Sequence, residues 1–147
     1  MMVFVFVAVL VGIVIQAAFH WIGFKVAAAK PTPKFLYRVG INALASCLVG
    51  VFLYALFLIN PNIEFLNQAI LSLKLHTLDR QGALQTSALL LLGAWVVINA
   101  PLLTASTKLI ARQVPVVTAL VAAVVTEVLI GGLAFVVPMF IAAQRAA

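Results

Sequence analysis

Charge is scarce in this sequence. Asp, Glu, Lys and Arg make up 8% of it, and 3 of those residues are acidic against 9 basic. A soluble domain of 147 residues needs a polar surface, and 66% apolar residues with a mean hydropathy of +1.27 cannot supply one. Cysteine occurs once, as Cys47 inside an apolar run. That excludes an internal disulfide and a cysteine-based metal cluster, and predicts a small buried side chain. Metal-ligand spacings, a Gly-rich phosphate loop and a nucleophile paired with a base are also lacking. Ser87, Ser106 and Thr107 read as ordinary polar residues at span ends. The chain is therefore expected not to be an enzyme and to need no cofactor. Its net charge of +6 suits cationic loops on anionic headgroups better than nucleic acid.

Long apolar runs are what the sequence has. A helix needs roughly 20 apolar residues to cross the hydrocarbon core. The first run spans about residues 3–26, with Trp21 and Lys25 as interfacial anchors. It is too long and too apolar at its start for a secretory signal, so it is read as a retained membrane helix. Pro31 and Pro33 end it in a turn, and a second span covers about 35–59, with Tyr37 and Tyr54 towards its two ends.

The stretch 61–81 differs. Asn60 suits an N-cap, Pro61 the first helical position and Gly82 a terminator. Ile63, Leu66, Ile70, Leu73 and Thr77 recur at helical spacing, with Glu64, Asn67, Gln68, Lys74 and Arg80 largely elsewhere around the wheel. That pattern is an amphipathic helix too polar to span, lying at the membrane surface or on a partner. A third span is expected at about 84–107, kinked where Pro101 deprives the Val97 carbonyl of its partner. A fourth, about 114–143, is longer than the core and must tilt, kink at Pro138 or emerge.

The fold expected is thus an all-α membrane protein, one polytopic domain of four transmembrane helices plus an interfacial amphipathic helix between spans two and three. Lys25, Lys30, Lys34, Arg38, Lys108 and Arg112 flank the first and third connections without an acid among them. The other side has Lys74, Arg80 and Arg145, tempered by Glu64 and Asp79. Positive loops stay cytoplasmic, so both termini are expected on the non-cytoplasmic side.

Each span has a polar side chain near its centre: Gln16, Ser46, Asn99 and Glu127. Such groups face the bundle rather than lipid. Gln16, Ser46 and Asn99 taken singly are the kind that make interhelical hydrogen bonds. Glu127 shares a face with Ala119, Ala123 and Gly131, where small side chains admit a close neighbour. In its protonated form it is expected to donate a hydrogen bond to Asn99 or Gln16. His20 is read as an interfacial residue. As a haem or pigment ligand between helices it would want a second histidine, and His76 lies in the amphipathic segment on the opposite expected side.

The phrase "TEVLIGGLAFVVPMFIAA" resembles the last helix of rotary-ATPase proteolipids, over about one span. Those chains are Gly-rich along several helices, whereas this one has 8 Gly and an amphipathic insertion in place of a short loop. Small multidrug transporters also have four helices and one carboxylate, but theirs lies in the first. The function expected from the residues is a small non-catalytic subunit, packed among other membrane subunits or copies of itself in the lipid bilayer. The alternative is a small proton- or ion-coupled transporter or channel-forming unit using Glu127.

Overall fold

A computed structural model of the chain describes residues 2–30, 32–59 and 80–146. Helix α1 is Met2–Val26 and α2 is Phe35–Ile59. Helix α3 is Arg80–Ile110 and α4 is Val116–Gly131. A π turn, Gly132–Val136, leads straight into α5, Val137–Ala146. No strand occurs among the described residues. Four helical stretches there are long and apolar enough to cross a membrane, the fourth being α4 to α5 taken together. The chain is an all-helical, multi-pass membrane protein.

The helices form a ring. α1 packs on α2 and α4, and α3 packs on α2, α4 and α5, while α1 and α3 stand diagonally opposite. The outer surface is apolar: Val9, Leu10, Val14, Val51, Leu89, Val97, Val117 and Leu120 are all exposed. In water that would be untenable; in lipid it costs nothing. Inside, Phe24, Ile41 and Leu103 pack with Ala100, Ala119, Ala122 and Ala123. Small residues dominate there because lipid gives helices no hydrophobic reason to associate, so close contact must do so.

Closest approach is between α1 and α4. A Cβ added at Gly23 would collide with the Ala122 carbonyl oxygen and come within 2.6 Å of Thr126 Oγ1. Only glycine admits α4 at this distance. The turn after α1 is closed by Ala28 N–H to Lys25 O and Ala29 N–H to Phe24 O. That paired closure puts Ala28 in the left-handed region, φ 51°, where glycine is usual. After α3, the Lys108 ammonium donates to the carbonyls of Arg112 (2.8 Å) and Val114 (2.6 Å), tying the turn to the helix end.

Several boundaries differ from expectation. The third span begins at Arg80 rather than near Leu84, so Gly82 lies inside a helix and terminates nothing. Ala83, Leu84 and Gln85 are good helix formers, and they carry α3 through a lone glycine. Of the amphipathic helix expected at 61–81, residues 61–79 lie outside those described and 80–81 belong to α3. Pro101 sits within α3 without ending it. In the fourth span the helix adjusts before Pro138 rather than at it: Val137 N–H reaches back five residues to Gly132 O. The widened turn lies where the proline ring would otherwise press on the Ala134 carbonyl. Cys47, expected to be buried, is exposed on the outer face.

Candidate functional site: a polar layer inside the bundle

Gln16, Ser46, Asn99 and Glu127, one from each span, line a single cavity of about 130 Å³, together with Trp95, Ala45 and Val49. Their meeting follows from the antiparallel ring: each lies near the middle of its helix, on the inward face. Glu127 is 2% exposed and Asn99 7%, while Gln16 and Ser46 are half-buried.

The hydrogen bonds are not those expected. Asn99 Nδ2 donates to the Trp95 carbonyl one turn back in its own helix, 2.8 Å away. Glu127 Oε2 is buried without a partner, and so is the indole N–H of Trp95. The two side chains line the same cavity and are close enough to influence one another electrostatically. The indole N–H is the donor on the Glu127 carboxyl, in a contact too long or too bent for a well-formed hydrogen bond. Glu127 is the sole acidic side chain among the described residues, and no described basic residue forms an ion pair with it. The carboxyl oxygen and the indole N–H are both closed off from solvent and lie beside one another. Leaving such groups unmade costs about 1–3 kcal/mol each.

Ala119 and Ala123 are fully buried, beside Ala122, which meets Gly23. Gly131 faces α3 instead. A Cβ there would meet Leu92 Cδ1 at 2.6 Å and Trp95 Cδ1 at 3.1 Å, so Gly131 makes room for the indole. Trp95 is also held from the far side, edge-on to Phe135 of the π turn at 5.5 Å between centroids.

A second polar layer lies one turn away. His20 is wholly buried, not interfacial, and stacks on Phe24 at 4.5 Å. Asn42 Nδ2 approaches His20 Nδ1 at 3.2 Å and donates to the Arg38 carbonyl at 2.7 Å. The amide nitrogen is a donor, so Nδ1 is the acceptor and the ring proton sits on Nε2. That Nε2 is itself buried and unpartnered, as is Asn42 Oδ1. Both ring nitrogens therefore lie inside the bundle, away from the lipid face. Arg38 turns inward too: Nε donates to Ala17 O at 3.2 Å and Nη1 to Pro33 O at 2.7 Å. Ser106, Thr107 and Thr126 are buried and satisfied by carbonyls one turn back, at Leu102, Leu103 and Ala122. Among the described residues no three His, Cys, Asp or Glu side chains gather to hold a metal ion.

The sequence reading missed Trp95, Asn42 and Gly23. A signal existed for two of them: Asn42 precedes Ser46 by one turn and Trp95 precedes Asn99 by one turn, which places each pair on one helix face. Gly23 had none, because a close approach is visible only once the opposing carbonyl is known. Comparison with protein-family models, curated proteins and solved structures finds no match to this chain.

Proposed function

We propose that this is a small proton- or ion-handling membrane protein, with Glu127 as the group that takes up and releases the proton or cation. The observation that supports it is that Glu127, the sole acid among the described residues and 2% exposed, lines one cavity with Gln16, Ser46 and Asn99 and has no ion-pair partner among the described residues. A purely structural polar cluster gains by pairing its members with one another. Here Glu127 makes no hydrogen bond to Gln16, Ser46 or Asn99, and a cavity of about 130 Å³ has room for several waters, each needing about 10–15 Å³. An intramembrane acid beside such a space is suited to a proton or ion relay.

Orientation is part of the proposal. The turns at 27–34 and 111–115 bring Lys25, Lys30, Lys34, Lys108 and Arg112 to one end of the bundle, which favours that end as cytoplasmic and both termini opposite. The amphipathic segment 61–81 would then lie on the non-cytoplasmic surface. A competing proposal, a non-catalytic subunit that stabilises a larger complex or homo-oligomer, draws on the chain's small size and on the lack of any domain outside the spans among the described residues.

One substitution separates them. Glu127→Gln keeps shape and hydrogen-bonding capacity but removes the titratable proton. In proteoliposomes with an enclosed pH dye, the wild type is expected to carry protons under an imposed gradient and a folded Glu127→Gln protein is not. Equal fluxes from both would discard the proton-handling reading. A silent variant that still co-purifies with unchanged partners would count against the subunit reading, because assembly is kept and only the titratable proton is lost.

A further inference from the structure

The cavity of about 130 Å³ in the polar layer is lined by more oxygen than its neighbours use. Of Gln16, Ser46, Asn99 and Glu127, only Asn99 makes a well-formed hydrogen bond among the described residues, and it does so through Nδ2, to the Trp95 carbonyl. That bond settles which way the amide faces, and Oδ1 is the atom left over. Glu127 Oε2 is closed off beside the indole, whereas Oε1, Asn99 Oδ1, the Gln16 amide and the Ser46 hydroxyl are not closed off and have no partner. The first two are acceptors only, and the Gln16 amide and the Ser46 hydroxyl can each turn an oxygen inward. No Lys, Arg or His lines the cavity.

We propose that this cavity holds one monovalent metal cation of the sodium class, coordinated by a side-chain oxygen from each of the four spans: Gln16, Ser46, Asn99 and Glu127. The inference rests on the reading of Glu127 as a proton- or ion-handling group, and it names the ion. Hard cations take carboxylate, amide-carbonyl, hydroxyl and water oxygens, the donor set present here. A single water donates only two hydrogen bonds, so it leaves two of the four oxygens unserved, whereas a cation engages them all. A buried carboxylate without an ion-pair partner is also the charge that a bound cation neutralises. One carboxylate balances one positive charge. A divalent ion would leave a net charge inside the bundle, and no second acid among the described residues is there to offset it. The cavity has room for the cation and for waters that complete its shell, each needing about 10–15 Å³. Coordination requires the carboxyl ionised, so cation and proton exclude one another on Glu127.

Equilibrium binding of radioactive sodium to the full chain in nanodiscs, with choline as the balancing cation, tests this. Saturable binding of one ion per chain is expected, released by unlabelled sodium and not by choline. Glu127→Gln is expected to abolish it. Ser46→Ala removes one neutral oxygen and is expected to weaken binding about ten-fold, the worth of one hydrogen bond to a charged group. The Ser46 hydroxyl makes no hydrogen bond within the bundle, so its loss leaves the packing intact, and circular dichroism checks the fold of both variants. Absence of saturable binding would mean that the cavity takes water or a proton alone. Undiminished binding in either folded variant would place the ion elsewhere, and release by calcium at a lower concentration than by sodium would mean a divalent site. Each of these results overturns the proposal. The readout involves no movement across the membrane. A protein that carries protons yet binds no sodium refutes this inference alone, and one that binds sodium yet carries nothing refutes transport alone.

Discussion

Gly23 and Gly12 lie on the same helix, three turns apart, and replacing each by alanine is expected to change stability in opposite directions. In a helix interior alanine is favoured over glycine by roughly 0.8–1.0 kcal/mol. At Gly12, where a Cβ meets nothing, that gain is realised and Gly12→Ala is expected to stabilise by about 0.5–1 kcal/mol. At Gly23 the new Cβ meets Thr126 Oγ1 and the Ala122 carbonyl oxygen. The hydroxyl can rotate away at the expense of its own bond to Ala122 O, 2.6 Å long. The carbonyl belongs to the backbone of α4 and yields only if the helices separate. Overpacking of this kind costs about 1–3 kcal/mol, towards the upper end against backbone. Net of the propensity gain, Gly23→Ala is expected to destabilise by about 1–2 kcal/mol, some 2–3 kcal/mol below Gly12→Ala. Unfolding in mixed micelles, followed by circular dichroism, measures both. A Gly23→Ala protein as stable as Gly12→Ala would refute the close approach of α1 and α4, and with it the register that brings Gln16 level with Glu127.

Ala28→Gly relieves a left-handed alanine at the end of α1 and is expected to stabilise by about 0.5–1 kcal/mol in the same assay; no gain would mean that the turn is not closed as described. Asn42→Leu strands both ring nitrogens of His20 and is expected to cost about 1–3 kcal/mol, whereas adding His20→Leu is expected to restore most of it, because removing both partners is nearly neutral. If the double variant is the less stable one, the pair is not bonded. Gln113 and Gln144 are exposed at opposite ends of the bundle. Cysteines placed at these positions, with Cys47→Ser as background, are expected to label from opposite sides of the membrane, and labelling from one side would remove a span.

Periodicity and composition made most of the helices legible. α2 has the boundaries expected and α1 differs by one residue, since each is a long apolar run ended by a proline-rich or polar break. The start of α3 was misread because Gly82 followed a plausible amphipathic pattern, and a lone glycine is a weak stop when helix formers follow it. The π turn was legible only as a possible kink at Pro138, since the bond from Val137 N–H back to Gly132 O leaves no mark in residue spacing. The four midplane polar residues were readable because charge and amide are so rare in these spans. Their hydrogen bonds were not, because Asn99 found a nearer acceptor in its own helix. His20 was misjudged for a related reason: one position from Trp21 it looked interfacial, yet a one-residue step on a helix turns a side chain by about 100°, from lipid to core.

Proton access to Glu127 is measured most directly by infrared spectroscopy of the reconstituted protein while the external pH is stepped from acid to alkaline. Bands present in the wild type and missing in Glu127→Gln belong to this carboxyl. They are expected to change reversibly and promptly with each step, since Glu127 lines a cavity with room for water. Bands that stay fixed throughout, in a protein whose helices remain intact, would show a sealed carboxyl with a structural role alone.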